Sequence, residues 1–208
     1  MNNKEYYFEY LKGTDRFPRS IYNSAKHNMV HKIFDHLPTG SLVLDAGCGI
    51  GNITSKYCNK YSIVGIDEQL SAIRYCHNFH TGKYIQASLY NIPFSDNIFD
   101  LILFLDAIEH FTQPVMALKE LARVLKPGAN ILICTMNYAS PLWTILGNTW
   151  YRLVGGSCKP YSRYVHPTQY TSEILRQHCR ELFEEVYLQK CIMNMELFYL
   201  GKKYKIYD

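Results

Sequence analysis

Apolar side chains at Met29, Val30, Ile33, Phe34 and Leu37 recur at three- and four-residue steps. That spacing predicts a helix over Ile21–Leu37 with one stripe against a core, stopped by Pro38-Thr39-Gly40. The stretch that follows, SLVLDAG, is a continuous apolar run ending in an aspartate and a glycine, as a buried strand would be. Asn52–Asn59 predicts a helix, Tyr61–Asp67 a second strand, Gln69–Phe79 a second helix after the loop and Tyr84–Ala87 a short third strand. Phe99–Leu105 predicts a fourth strand. Pro114–Leu125 predicts a strongly amphipathic helix with proline in its first turn and Lys126-Pro127-Gly128 as its stop. Asn130–Met136 predicts a fifth strand, and after a helix over Thr171–Arg180 two late strands are expected around Glu185–Cys191 and Leu197–Lys203. Strands that are continuously apolar and alternate with helices imply a parallel sheet covered on both faces. Two late strands with no full helix between them predict a last strand that runs antiparallel. The expected fold is therefore α/β, a seven-stranded, mostly parallel sheet.

Asn137–Gln169 breaks this rhythm with aromatic, glycine and proline residues. A chain of 208 residues is the size of one domain with a full core. The organisation expected is a single domain over 1–208, with 1–38 as an N-terminal helical cap and 137–170 as an insertion on the ligand side of the sheet. Charge adds little: the net charge of +4 is mild, and no dense Lys/Arg run accompanies it, so nucleic acid is not the expected partner. Seven scattered cysteines with no C-x-x-C pair predict reduced thiols and no metal site. With a polar, aromatic N-terminus and no apolar run long enough to span a bilayer, a cytoplasmic location is expected.

The chemistry concentrates at Val43–Asn52, VLDAGCGIGN, where three glycines fall within five residues at the end of a strand. Glycines there admit backbone angles other residues avoid and let a ligand approach closely. A phosphate-binding P-loop needs Gly-Lys-Ser/Thr at its end, and this loop ends Gly-Asn-Ile-Thr. A dinucleotide fingerprint needs its third glycine at position 52, which is Asn52; the glycine comes one residue early, at Gly51. A tight turn without a ligand would be an entropically costly use of three glycines.

The chain resembles the class I S-adenosylmethionine-dependent methyltransferases from about Ser41 to Met136. VLDAGCGIG is similar to that family's first motif and IVGIDEQ to its second. ASLYNIPFSDNIFDLILFLDAIEHF is similar to its third and fourth, and LARVLKPGANILI to its fifth. Within the family the chain is most similar to the small ubiquinone/menaquinone-type and natural-product methyltransferases. The resemblance implies a Rossmann-like fold and S-adenosyl-L-methionine as cofactor, with S-adenosyl-L-homocysteine as product. It implies that Asp45, Ala46, Gly47, Cys48, Gly49 and Gly51 carry the methionine half of the cofactor. Asp67, 22 residues after Asp45 (67 − 45), would hold the ribose diol, which a carboxylate can accept in a bidentate manner; Glu68 is a rival, and a plain helix cap is the alternative for Asp67. Where the family usually offers an acid to the adenine amino group this chain has Ser88, a departure; the Leu89 backbone would also meet the ring, and Asp96 lies too far along to substitute. Leu105 and Asp106 would flank the methyl group and sulfonium.

If the acceptor is a hydroxyl, a histidine suits proton removal. His110, just past strand four, is the first candidate and His166 the second, with a structural role in closing the pocket as the alternative. Trp143, Trp150, Tyr151, Tyr161 and Tyr164 suggest an aromatic, quinone or lipid-like small-molecule acceptor, or else complete the core. Trp143, Ile145, Leu146, Trp150 and Leu153 with Arg152 and Lys159 could instead touch a membrane surface. Tyr6, Tyr7, Tyr10, Arg16 and Arg19 are expected to fold over the cofactor, an arginine there meeting its carboxylate. An RNA methyltransferase, needing a basic patch that only Arg152, Lys159 and Arg163 approach, and a non-catalytic cofactor-binding module are the competing readings.

Overall fold

The computed structural model describes residues 19–148 and 166–205. Its elements are α1 (Arg19–Asp35), β1 (Leu42–Ala46), β2 (Ser62–Asp67), α2 (Leu70–Phe79), β3 (Lys83–Gln86), β4 (Phe99–Leu105), α3 (Pro114–Val124), β5 (Leu125–Met136), α4 (Pro141–Asn148), α5 (Ser172–Cys179), β6 (Phe183–Cys191) and β7 (Glu196–Lys203). The strands form one sheet of seven in the order β3-β2-β1-β4-β5-β7-β6. Strands β1 to β5 pair in parallel, and β7 runs antiparallel between β5 and β6.

The central strands are apolar on both faces because both faces are covered. In β4, Leu101, Ile102, Leu103 and Phe104 are all buried. One face packs Ile102 and Phe104 with Leu118, Leu121 and Val124 of α3 and with Tyr170 and Leu175. The opposite face packs Leu101 and Leu103 with Met29, Val30 and Phe34 of α1 and Phe198 of β7. The reversal of strand order between β1 and β4 places their carboxyl ends side by side, where open α/β sheets hold ligands.

Asn52–Asn59 departs from the expected helix. Only Ser55–Tyr57 is helical, as a short 3-10 turn, with Ser55 N–H bonding the Gly51 carbonyl four residues back and Tyr57 N–H bonding that of Thr54, three back. Thr54 turns its hydroxyl inward to Asp45 at 2.5 Å, and the mixed bonding tightens the segment. Strand β5 starts five residues earlier than its apolar run: Leu125 pairs with Phe99, the register then shifts, and pairing resumes at Asn130 opposite Leu101. The six described cysteines are free thiols.

Gly65 in β2 is fixed by crowding. A Cβ there would stand 2.6 Å from the Tyr84 ring and 2.9 Å from the Cys48 sulfur. Gly65→Ala is therefore expected to overpack the sheet and lower the unfolding free energy by about 1–3 kcal/mol, as a shift of the urea midpoint at unchanged slope would show.

Candidate active site

The glycine loop leaves β1 with Gly47, Gly49 and Gly51 at φ of +72°, +52° and +71°, a backbone region that glycine enters at little cost. The loop is tied inward to β2: Gly47 and Cys48 N–H both bond the Ile66 carbonyl, at 2.8 and 3.0 Å, and Gly51 N–H bonds the Cys48 carbonyl at 2.9 Å. Gly49 N–H donates to the Asp67 carboxylate at 2.9 Å. The other Asp67 oxygen accepts from Gln69 N–H at 2.7 Å. Asp67 thus anchors the loop and turns the chain towards α2 through the N–H of Gln69, the residue before the helix, without forming the helix cap that the sequence offered as its alternative role. Glu68 is exposed, with its carboxylate accepting from Ser88 at 2.5 Å. Asp96 is held by Arg123 at 2.7 Å, so its carboxylate serves a surface clamp. Beneath the loop, Ala46 is fully buried, and burial raises Asp45 to about 6 even though Thr54 donates to it. Leu89 lies in the core beside Ile92 and Phe104.

The carboxyl ends of β4 and β5 and the amino end of the antiparallel β7 bring together charges far apart in sequence. Asp106 follows Leu105 with a φ of +49° and forms an ion pair with Lys26 of α1. Lys26 is only 6% exposed; burial opposes its charge, and Asp106, Cys134 and Glu196 more than offset that, raising its pKa. The Cys134 thiol lies 3.4 Å from Asp106 and 3.3 Å from Glu196. Glu109 and Glu196 are 1% and 3% exposed. Burial first, then the Asp106 charge, pushes both up to about 8. Thr135 donates to Glu109 at 2.9 Å.

Next to this cluster the two expected histidines meet. Their rings stack edge-to-face with centroids 4.6 Å apart, and one nitrogen of each lies within 4.8 Å of a Glu109 oxygen. Tyr138, just after β5, hydrogen-bonds His166 Nδ1 through its hydroxyl. Thr168 reaches the Phe111 carbonyl at 3.4 Å, stitching together the segments that follow the two histidines. Those segments also line a cleft of about 620 Å³, with Thr112, Gln113, Met116, Thr168 and Gln169 on its walls and Ile174 of α5 behind.

Lys26, Glu196 and Tyr138 are site residues the sequence reading missed. Lys26 had a signal: it stands three and four residues before Met29 and Val30, so it lies on the core-facing stripe of α1, where a cation needs a buried partner. Trp143 of α4 donates through Nε1 to the Met195 carbonyl at 3.0 Å, while Ile145 is 54% exposed. Arg16, Tyr6, Tyr7, Tyr10, Trp150, Tyr151, Arg152, Leu153, Lys159, Tyr161, Arg163 and Tyr164 lie outside the described residues, as do the side chains of Arg19 and Leu146. Among the described residues no helix is long and apolar enough to cross a membrane.

The buried acids have a pH signature. Glu109 ordinarily titrates at 4.5 and in the fold at about 8. Between those values the unfolded chain has released a proton that the folded chain still holds, so this group's contribution to stability falls as pH rises through the window. Glu109→Gln keeps an oxygen for Thr135 and cannot titrate. From pH 5 to pH 8.5 the variant is expected to gain on the wild type by upwards of about 1 kcal/mol of unfolding free energy, measured by urea denaturation at each pH.

Comparison with known proteins places this geometry. Residues 44–133 match the family described as "Methyltransferase domain". The ubiquinone/menaquinone biosynthesis C-methyltransferase of Psychromonas ingrahamii is 26% identical over 204 residues, covering 87% of this chain and 80% of that protein. The mitochondrial ubiquinone biosynthesis O-methyltransferase of Dictyostelium discoideum is 28% identical over 167 residues, covering 70% and 52%. Against the first three curated relatives the chain spans 37%, 52% and 60% of their length. Among solved structures, the N-methyltransferase NodS of Bradyrhizobium japonicum, in complex with S-adenosyl-L-homocysteine, shares the fold at a TM-score of 0.67 and 18% identity, covering 91% of this chain and 90% of that one. In its strand order, its glycine loop and the domain matched over residues 44–133, the chain is similar to the class I S-adenosylmethionine-dependent methyltransferases.

Proposed function

We propose that the protein transfers the methyl group of S-adenosyl-L-methionine to a hydroxyl of an aromatic, quinone or lipid-like small molecule. The observation that carries the cofactor reading is the inward-tied glycine loop. Gly47, Cys48, Gly49 and Gly51 all spend their N–H groups within the protein, so the loop has few donors left for a phosphate and suits a cofactor that has none. The loop backbone and Leu105 would cradle the methionine half, with the Asp45 carboxylate beneath holding the loop through Thr54. The sulfonium is a cation, and Asp106, Glu109 and Glu196 lie where negative charge would favour it. Asp67 is the better ribose ligand: it is partly buried and already oriented by two N–H groups, whereas Glu68 is exposed and engaged by Ser88. Ser88, committed to Glu68, would reach the adenine only through that pair, leaving the ring to the backbone at Leu89.

Methyl transfer is an in-line displacement in which the leaving sulfur is already activated, so alignment and exclusion of water do much of the work. A hydroxyl acceptor must also lose a proton. The His110–His166 pair beside Glu109 would supply a base for it, and the cleft beyond Thr112 and Thr168 would supply an entry. The O-methyltransferase among the relatives supports a hydroxyl acceptor, and the insertion 137–170 would form the acceptor wall.

Two measurements test this. Asp67→Ala should weaken S-adenosylmethionine binding at least about tenfold, the loss of one charged hydrogen bond of roughly 1.5–3 kcal/mol, with Glu68→Gln changing it less than about threefold; calorimetry that reverses the order moves the ribose to Glu68. Methyl-labelled cofactor offered with catechols, hydroquinones, amines and unfractionated tRNA should label the hydroxylic small molecules. Label in the tRNA alone would make the protein an RNA methyltransferase, and cofactor binding without any labelling a binding module.

A further inference from the structure

We propose that Tyr138 and His166 are positioning residues for His110: the Tyr138 hydroxyl fixes His166 in one tautomer, which makes His166 a hydrogen-bond donor to the reacting end of the site and leaves the base role to His110. This inference rests on the proposed transfer to a hydroxyl. It starts from the bond between the Tyr138 hydroxyl and His166 Nδ1. Burial, and after it the charge of Glu109, holds the phenol proton on Tyr138. Among the described residues that hydroxyl has no other hydrogen-bond partner. If Nδ1 carried the imidazole proton, the phenol proton would have no acceptor among the described residues; with the phenol donating, both groups are satisfied. Nδ1 is then the acceptor and Nε2 carries the hydrogen. Tyr138 is well placed to enforce this, since its own N–H bonds the Tyr170 carbonyl at 2.8 Å and the preceding Asn137 N–H bonds that of Met195 at 2.7 Å.

Among the described residues, the groups facing His166 include Tyr138 from beyond β5, Glu109 and His110 from the turn after β4, and Asp106 just after β4. His166 is 6% exposed, and burial, followed by His110, lowers it to about 4. It stays neutral at physiological pH, so the tautomer decides its chemistry. With Nδ1 engaged and Nε2 protonated, it cannot take a proton from an acceptor hydroxyl. Donation from Nε2 would reach towards Glu109 and His110, since one ring nitrogen of His166 lies within 4.8 Å of a polar atom of each, and the edge-to-face contact holds the His110 ring in place. The sequence offered His110 as the first candidate base and His166 as the second; the geometry suits them to different roles.

Glutamine separates the roles, because a His166→Gln side chain can accept from Tyr138 and donate onward but cannot act as a base. With catechol as acceptor, H166Q is expected to retain at least about tenfold more turnover than H166A, while H110A loses about 10²–10⁴-fold. Y138F should lower kcat with little change in the KM for cofactor. Nitrogen-15 NMR of labelled histidine reads the tautomer without turnover: in the wild type, His166 should show a bare Nδ1 and a protonated Nε2, and in Y138F a mixture. A wild-type His166 protonated at Nδ1, or H166Q falling as far as H166A, overturns the proposal. Absence of turnover with every acceptor overturns the proposed reaction, and with it the base role, while the NMR result still decides the tautomer.

Discussion

The carboxyl end of the sheet gathers five carboxylates, Asp45, Asp67, Asp106, Glu109 and Glu196, in a region largely closed to water. Burying ionised carboxylates is costly unless each is paired, hydrogen-bonded or neutralised, and the surrounding structure meets that demand in three ways. Asp45 and Asp67 are satisfied by short donors, Thr54 for one and the Gly49 and Gln69 N–H groups for the other. Asp106 is paired with Lys26. Glu109 and Glu196 hold their protons well above the usual carboxylate range. The position of α1, the path of the glycine loop and the closeness of β7 to β5 all serve this arrangement.

The division has a chemical logic for the proposed reaction. The satisfied acids lie on the side of β1 and β2, where they hold a loop in shape. The acids with movable protons lie beyond β4, on the side where the acceptor would enter. A cationic sulfonium entering beside Asp106 would meet a site whose negative charge is held in reserve, partly on Lys26 and partly under two protons. Binding would then be coupled to proton release, because a nearby positive charge lowers the pKa of a carboxyl group.

Much of the fold was legible because doubly covered parallel strands announce themselves as unbroken apolar runs; Ile63–Ile66 and Leu101–Leu105 needed no context. Asn52–Asn59 was not, since its side chains allow a helix and only the Thr54–Asp45 bond, invisible in the local pattern, tightens it. The proposed cofactor half of the site could be named for a related reason: Val43–Gly51 and Asp67 belong to contiguous strand–loop segments. The proposed acceptor half could be named only in part. His110 and His166 could be named, but their contact spans 56 residues (166 − 110), and the partner that distinguishes them, Tyr138, stands among other aromatic residues with nothing local to mark it. Lys26 and Asp106 are 80 residues apart, and no local periodicity can pair them.

The placement of β7 has a consequence for the order in which the molecule is made. Synthesis delivers β1 to β5 first, and those strands contain the glycine loop, Asp67 and Leu105. Strand β5 then waits as an open edge, with Ile131 to Cys134 fully buried only once β7 has inserted beside it. An apolar, unpaired edge is a template for intermolecular pairing, and domains emerging at about 5–20 residues per second leave it uncovered for several seconds. The same insertion delivers Glu196. Strand β7 therefore covers the edge of β5 and brings Glu196 beside Cys134 in one step.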